Sequence, residues 1–469
     1  MSYDYAQLDN ISRLFVEAEL KVPGFGGGRF QPTNFPDLGP ALYKGADGKQ
    51  WLIVESPQSM ANRMERVCWQ DGDTDTDRVG SYNDACLGIP YVLAVDADKQ
   101  ALTASPLEAH RLASPYIWET ALLDGPNAGK PFGAKTGFLW DEIKMSEQRL
   151  VPWKRVAVTL LAIDPACLLH GIWFSDGDFA GGKVRFTRAL SAYIEAEKPN
   201  PANSGFQKRD PVSDRTDKDV GQTAAEGFGS VIGPRQHFTS EKVKAWFELD
   251  LDRLRSYGLS EEAVRALAAW AVYKIRRVLT DNRDGVGGLR TECKFVAEDP
   301  KPTAFDLTGK KLESFALPEL GAELIKQLAP LKCLKQQDGK QVPDEDKAIL
   351  RVRWIPKIEA VAELPTGLTA ADFNLSGLES KAVVKPLSKK GKRVQTTGQE
   401  AEKLCLALTG EWRVDDKEKL RANHPAKEGE DKVAKVRKVV EAALANYQER
   451  WRAKAQGGKP EGEQDETKE

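Results

Sequence analysis

The sequence has 469 residues, of which 41% are hydrophobic and 29% charged, a balance typical of a protein that folds in water around one or more buried cores. No stretch approaches the ~18–20 uninterrupted apolar residues of a membrane span, and the first residues lack the pattern of a secretory signal. We therefore expect a cytoplasmic protein with no membrane partner. The formal net charge of −2 does not exclude a nucleic-acid ligand, because a neutral protein can carry a local basic groove.

The first informative segment, Val22–Tyr43, is dense in glycine and proline and predicts an ordered loop or irregular strand. Its glycine run lacks the Lys-Ser/Thr pair of a nucleotide-binding phosphate loop. With Arg29 beside it, the same run would allow the backbone to approach a polyanion closely.

A capped helix is predicted next. Residues 50–55 indicate a buried strand, and Ser56 and Pro57 suit the N-cap and first position of a helix. Met60 and Met64 share one helical face, which we expect to pack on a core. The positive end of a helix attracts phosphate, and polar donors there can bind phosphate oxygens without reading bases. An ordinary solvated helix face is the alternative. The candidate donors are Gln58, Ser59, Asn62, Arg63 and Arg66.

The middle of the chain predicts strands and a loop. Residues 156–163 and 167–174 are apolar runs rich in β-forming residues, and a hairpin is expected to end in residues 183–190. Residues 198–229 are polar and predict a long loop.

Beyond that loop, glycines occur together with Arg235 and His237, which suits phosphate or ribose contact better than proton transfer. No catalytic triad is visible, and we predict no catalytic residue. Residues 247–254 alternate like a strand, Ser260 caps a strong helix, and Arg290 opens another strand.

This order of elements is compatible with an α+β fold: a ferredoxin-like (RRM-like) βαββαβ palm with large insertions, plus a partly helical C-terminal extension. Residues 348–355 predict a strand, residues 381–393 a basic, flexible stretch, and residues 399–412 and 432–451 helices. The predicted segments are a core domain at 1–300, a mixed accessory segment at 301–395, a helical segment at 396–452 and a disordered tail at 453–469.

Cysteine and histidine are too scattered to predict a metal centre. The six cysteines form no CxxC pair, whereas a zinc site needs several soft ligands at close spacing. We expect buried free thiols in a reducing compartment, and neither a metal nor another cofactor. The cysteines are Cys68, Cys86, Cys167, Cys293, Cys333 and Cys405.

Four strings, in this order, resemble the RAMP-superfamily backbone protein of type I-G (formerly I-U) CRISPR systems. They are RFQPTNFPDLGPALY (29–43), VESPQSMANRMER (54–66), EAHRLASPYI (108–117) and GGLRTECKF (287–295). The resemblance implies a palm with inserted finger and thumb elements. It also implies a non-catalytic function in antiviral defence within a Cascade-type surveillance complex. Copies of the protein would stack head to tail in a filament along one CRISPR RNA, beside other Cascade subunits, and the RNA spacer would pair with target DNA.

The resemblance also implies site residues. In such proteins the helix after the first strand holds guide phosphates, a role that would fall here to Gln58, Ser59, Asn62 and Arg63. The glycine-rich, arginine-containing segments would line the same groove. Their residues are Arg29, Gln31, Asn34, Arg235 and Arg290. An aromatic RNP signature is not visible, so we do not expect bases to stack on the sheet.

Two alternatives remain open. In the first, the protein is a related backbone subunit that cuts target RNA with a loop aspartate and a divalent metal, for which Asp37 is the candidate. In the second, it is a protein-only assembly module whose basic residues merely solvate the surface.

Overall fold

The computed structural model divides into two compact units, residues 1–354 and 355–469. Within the described residues, no helix has the length and apolar character that crossing a bilayer requires. The structure describes residues 6–22, 28–35, 38–72, 79–96, 99–133, 137–144, 150–175, 184–208, 231–280, 302–313, 317, 321–337 and 340–354, and in the second unit 359–364, 383–387, 391–396, 412–414 and 419–422.

The helices of the described residues all lie in the first unit. They are α1 (Ala6–Asp9), α2 (Pro57–Arg66), α3 (Pro115–Trp118), α4 (Phe138–Glu142), α5 (Trp153–Ile163), α6 (Ala166–His170), α7 (Leu251–Ser256), α8 (Glu261–Thr280), α9 (Ala322–Lys326) and α10 (Glu345–Ala348). Short 3₁₀ turns occupy Arg111–Ala113 and Ala329–Leu331.

The strands are numbered through both units. Those of the first unit are β1 (Arg13–Leu20), β2 (Asn34–Phe35), β3 (Gly39–Pro40), β4 (Leu42–Lys44), β5 (Gln50–Glu55), β6 (Trp69–Gln70), β7 (Ser81–Tyr82), β8 (Tyr91–Val95), β9 (Ala101–Ala104), β10 (Ala121–Leu122), β11 (Ile172–Phe174), β12 (Val184–Phe186), β13 (Leu190–Glu197), β14 (Asn200–Pro201), β15 (Ser204–Lys208), β16 (Val231–Arg235), β17 (Phe238–Thr239), β18 (Lys242–Asp250), β19 (Thr303–Phe305), β20 (Leu334–Gln337), β21 (Lys340–Pro343) and β22 (Ile349–Arg353). Those of the second unit are β23 (Glu359–Leu364), β24 (Val383–Leu387), β25 (Gly391–Thr396), β26 (Trp412–Val414) and β27 (Lys419–Ala422).

Six described strands form the central sheet of the first unit, in the order β19-β1-β18-β13-β5-β4, and each neighbouring pair is antiparallel. Side chains alternate between the two faces of a strand. On β1, Leu14, Val16 and Ala18 are buried and the residues between them are half-exposed. Helix α2 packs against β13 and α8 against β18. The core therefore lies between the buried face of the sheet and these two helices.

The opposite face of the central sheet combines aromatic and charged side chains. Glu17 lies opposite Trp246 in the β1–β18 register, and both are half-exposed. Lys244 Nζ is 2.8 Å from Glu17 Oε1. Arg13 Nη1 is 2.5 Å from Glu248 Oε1. These carboxylates are therefore paired with cations of the same face.

A second sheet of the first unit has the order β10-β22-β8-β9, in which β22 runs parallel to β8. Strand β22 occupies most of residues 348–355, which confirms the strand predicted there. The mixture of helices and largely antiparallel sheets confirms the α+β class.

The capped helices form as predicted. Ser56 Oγ accepts a hydrogen bond from Ser59 N at 3.3 Å at the start of α2, directly after β5. Ser260 Oγ accepts from Ala263 N at 3.2 Å at the start of α8. The predicted hairpin is also present, because β11 and β12 pair in antiparallel register.

The strand predicted at residues 156–163 was wrong, and the strand predicted at 167–174 is correct only in its last three residues. Residues 153–163 form α5, and residues 166–170 form α6, followed only then by β11. Val156, Leu160 and Ile163 are buried at spacings of four and three, so one helical face meets the core. Short apolar runs rich in β-branched residues do not distinguish a buried strand from a buried helix.

The strand predicted at residues 247–254 is correct only in its first half. Strand β18 ends at Asp250, whose Oδ1 accepts a hydrogen bond from Arg253 N at 2.9 Å. Aspartate is a strong N-cap, and α7 starts at the next residue. Strands β14 and β15 likewise occupy the beginning of the loop predicted at 198–229.

The cysteines behave as expected where they are described. Cys68, Cys86 and Cys167 are buried free thiols, and Cys333 is a partly buried one. Cys293 and Cys405 lie outside the described residues.

The second unit contains a sheet of described strands in the order β24-β25-β23-β27-β26. Strand β24 and the first three residues of β25 lie within residues 381–393, where a flexible stretch was expected, so that prediction was wrong for these residues. The strand expected from Arg290, the helix at 432–451 and the tail at 453–469 lie outside the described residues, as does the helix at 399–412 except for Trp412 in β26. The segment boundaries at 300, 395 and 452 remain predictions.

Candidate nucleic-acid interface

Backbone hydrogen bonds bring three of the predicted segments together. Phe30 and Phe238 exchange two N–H···O bonds of 2.9 Å each. Thr33 N donates to Val54 O at 3.0 Å, two residues before the cap of α2. The glycine-rich segment therefore connects β17, which directly follows His237, with β5, which leads into α2.

Helix α2 is held by apolar residues and presents its tip to solvent. Met60 and Met64 are completely buried, whereas Pro57 and Gln58 are exposed. Pro57 has no N–H, and the Ser59 N–H is used by the Ser56 cap. Among the described residues, the Gln58 N–H is thus left as the donor at this tip, and side chains must supply most of the hydrogen bonds to an anion.

Two of the predicted donors, Ser59 and Arg63, bind a carboxylate of the protein itself. Ser59 Oγ donates to Glu55 Oε1 at 2.7 Å, and Arg63 Nε donates to the same oxygen at 2.5 Å. The Glu55 side chain is fully buried, and that of Arg63 is 14% exposed. A buried carboxylate requires such partners. Glu55 therefore fixes both side chains before any ligand arrives.

Gln58 and Asn62, which were also predicted, form a chain of hydrogen bonds with an arginine on the exposed side of α2. The sequence did not predict this arginine. Arg188 Nη2 donates to Gln58 Oε1, and Gln58 Nε2 donates to Asn62 Oδ1 at 3.2 Å. Arg188 lies between β12 and β13, 130 residues from Gln58. We call the surface formed by Gln58, Ser59, Asn62, Arg63 and Arg188 the α2 surface.

The remaining predicted residues do not belong to the α2 surface, and two of them lie outside the described residues. Arg66 Nη2 pairs with Asp71 at the far end of α2. His237 Nδ1 is 3.1 Å from Ser204 Oγ. Arg29 and Gln31 are exposed next to the Phe30–Phe238 bridge, and Asn34 and Arg235 belong to β2 and β16. Arg290 and Asp37 lie outside the described residues.

A buried ion pair, Arg111–Glu65, holds the inner side of α2. Arg111 Nε and Nη2 donate to the two oxygens of Glu65 at 2.9 and 2.6 Å, and Arg111 Nη1 donates to Gly171 O at 3.2 Å. Both side chains are only 7% exposed. Arg111 belongs to the string EAHRLASPYI, for which the sequence alone indicated no structural role. The pair ties α2 to the 3₁₀ turn at 111–113 and to the start of β11.

Further charged groups are buried close to this pair. Lys274 Nζ lies 3.0 Å from His170 Nε2 and 4.1 Å from the ring centroid of Trp270. Burial, together with the charge of Lys274, holds the pKa of His170 well below its usual value, so the ring is neutral and its Nε2 accepts a hydrogen bond from Lys274 Nζ. Burial raises the pKa of Asp164 to about 6. No group of three or more His, Cys, Asp or Glu side chains suited to a metal ion occurs among the residues described.

Fold and site together define a mixed α+β protein that presents amide and guanidinium donors beside a capped helix tip. Residues 14–201 match the family model of CRISPR-associated protein GSU0053 (Cas_GSU0053), less than half of the 469-residue chain. The match agrees with the resemblance stated above: residues 14–201, which include most of β1 and all of α2 and β13, are similar to that CRISPR-associated family.

The chain was also compared with curated proteins and with solved structures. No curated protein matches the sequence. A chain of a solved structure, described as "CRISPR RNA-guided surveillance complex, pre-nicking", is 12% identical, and the match covers 56% of this chain and 71% of that chain with a TM-score of 0.27. A TM-score of that size does not establish a common fold.

Proposed function

We propose that the protein is a non-catalytic CRISPR RNA-binding subunit of a Cascade-type surveillance complex, which coats the guide and presents its spacer to target DNA. The observation that carries the proposal is the convergence of Arg29, Gln31 and His237 with α2 through the Phe30–Phe238 and Thr33–Val54 hydrogen bonds. The Cas_GSU0053 match over residues 14–201 supports a CRISPR role.

The order of four strands supports a ferredoxin-like palm as part of this proposal. Four strands of the central sheet are taken in chain order: β1 is the first, β13 the second, β18 the third and β19 the fourth. In the sheet they lie side by side in the order fourth, first, third, second, and each neighbouring pair is antiparallel. Helix α2 precedes the second of them and α8 the fourth, as a βαββαβ unit requires. The edge strands β4 and β5 are then an insertion, and α2 follows β5 instead of β1.

The α2 surface suits contact with the RNA backbone. Its amide and guanidinium groups are donors for phosphate oxygens, and sequence reading is left to Watson–Crick pairing between guide and target. Repetition of the same contacts along one RNA calls for an open, head-to-tail interface between copies. Other Cascade subunits would cap the resulting filament, which assembles in the cytoplasm.

The proposal is tested by purifying the tagged full-length chain at low salt from cells that express a matching CRISPR array. We expect guide-sized RNA to copurify and to be lost as the salt concentration rises. A protein that elutes free of small RNA at low salt would contradict the proposal and favour an assembly module.

Catalysis is tested on the same material. Complementary RNA is added with magnesium to the assembled complex, and the non-catalytic assignment predicts that this RNA stays intact. Cleavage that disappears in Asp37→Ala would overturn the assignment.

A further inference from the structure

The hydrogen-bond pattern around Arg188 determines how the amides of the α2 surface are oriented. A guanidinium group only donates hydrogen bonds, so the Gln58 atom that faces Arg188 must be its oxygen. The Gln58 amide nitrogen then faces Asn62 and finds its oxygen at 3.2 Å. As a consequence the Asn62 NH₂ group is turned away from Gln58 and is available as a donor on the exposed side of the helix.

Arg188 also differs in its ion pairing from three other arginines on or next to α2. Arg63, Arg66 and Arg111 are each paired with a carboxylate. Within the described part of the chain, no carboxylate forms an ion pair with Arg188, whose polar partner is the neutral side chain of Gln58. Arg185, exposed on β12, adds a second positive charge nearby.

The guanidinium of Arg188 is half-buried. Burial and, next, the neighbouring Arg111 lower its pKa, but a guanidinium group remains protonated at neutral pH. The group is thus a cation in a partly desolvated place, and the carboxylate that acts on its charge, Glu65, is itself paired with Arg111. Such a cation is stabilised when an anion approaches.

We infer that Arg188 is a phosphate-binding residue for single-stranded RNA on the α2 surface: it supplies the unbalanced positive charge and, through Gln58, orients the Asn62 amide toward the same ligand. The inference rests on the proposed function and adds a residue that neither the helix pattern nor the family resemblance indicates.

The test measures binding of a fluorescent single-stranded RNA of mixed sequence to the full-length chain at several salt concentrations. We expect Arg188→Gln to weaken binding about tenfold at low salt and to reduce the slope of log affinity against log salt by about one, the change for one lost phosphate contact. Arg188→Lys keeps the charge and should retain the slope while losing part of the affinity.

The matched control is Arg265→Gln. Arg265 is an exposed arginine on α8 that is paired with Asp9, so its replacement removes the same charge from another part of the protein. We expect less than a twofold change in affinity. Thermal unfolding of each variant checks that the fold is retained. If Arg188→Gln does not fold, Gln58→Ala removes the hydrogen bonds from Arg188 to Gln58 and from Gln58 to Asn62 at an exposed position.

A double-mutant cycle separates direct contact from positioning. If Arg188 acts partly through Gln58, the effects of Arg188→Gln and Gln58→Ala are smaller together than their sum. If the wild type binds RNA and Arg188→Gln has the same affinity and the same salt slope, this inference alone is overturned. Failure of the wild-type chain to bind RNA at low salt would instead overturn the proposed function.

Discussion

Arg111 and Glu65 form a two-pronged ion pair inside the protein, 46 residues apart in the chain. Through this pair the helix that carries the RNA-binding candidates is fixed on its inner side, while its outer side remains at the surface. The arrangement separates a structural set of charges from a set that a ligand can reach, and the predictions below test the two sets independently.

Replacing Arg111 with methionine should destabilise the protein by about 3–5 kcal/mol, because the Glu65 carboxylate is left buried without a partner. Urea unfolding followed by circular dichroism measures the change. Arg265→Gln, which breaks the exposed pair with Asp9, is the control and should leave the unfolding midpoint nearly unchanged. Equal midpoints for the two variants would show that the buried pair contributes no more than a surface pair.

Glu55→Gln should raise RNA affinity while it lowers stability. The carboxylate occupies Ser59 and Arg63, and its removal relieves ~1 kcal/mol of repulsion toward phosphate, about fivefold in affinity. The free energy of unfolding should fall by about 1–3 kcal/mol, because the neutral amide oxygen of glutamine is a weaker acceptor for Arg63 than the carboxylate is. RNA binding and urea unfolding are measured on the same samples. A weaker RNA complex would mean that Glu55 is needed to hold Arg63 in a productive geometry.

Asn62→Asp should weaken RNA binding by about tenfold, and to the same extent for every guide sequence. The change replaces an outward NH₂ donor with a carboxylate that repels phosphate. Affinities for several unrelated single-stranded RNAs of equal length measure the effect. A loss of affinity confined to one RNA sequence would contradict binding through the RNA backbone alone.

His170 should make the protein less stable in acid. Its pKa in the folded state lies well below the usual value of 6.5, so the unfolded chain binds a proton first, and the free energy of unfolding falls as the pH drops below about 6.5. The protonated ring would face Lys274, Arg111 and Arg188, and the carboxylates of Glu65 and Asp164 act on Arg111.

Asp164 acts with the opposite sign. Its pKa is raised from 3.8 to about 6, so the folded state binds a proton first and gains stability as the pH falls from about 6 to 4.

The comparison of wild type with His170→Gln isolates the effect of the histidine, because glutamine keeps an acceptor for Lys274 but does not titrate. The variant should lose less stability in acid than the wild type does. Identical pH profiles from unfolding midpoints would show that His170 is not the titrating group.

Local patterns in the sequence predicted the elements that local chemistry determines. Ser56-Pro57 and Ser260 mark helix starts because their side chains and restricted backbone act within one turn, and both helices form there. Helix α5 was missed because its residues favour strands individually, whereas its buried face is defined only by the surrounding core.

The candidate site was predictable only in part for a similar reason. Polar residue types on α2 indicated Gln58 and Asn62, and the glycine-rich segment indicated Arg29. The contacts that orient them come from far along the chain: Arg188 is 130 residues from Gln58. No spacing rule within one helix or loop indicates such a partner, since it depends on how β12 and β13 return to the helix.

The carboxylates on the open face of the central sheet, Glu17 and Glu248, are locked to Lys244 and Arg13. A nucleic-acid strand laid across that side would have to displace these acids from their cations and would meet negative charge in the process. Under the proposed function, we therefore expect the guide RNA to follow the α2 surface and not this face of the sheet. Its bases would then not stack on Trp246 and would stay available to a complementary strand.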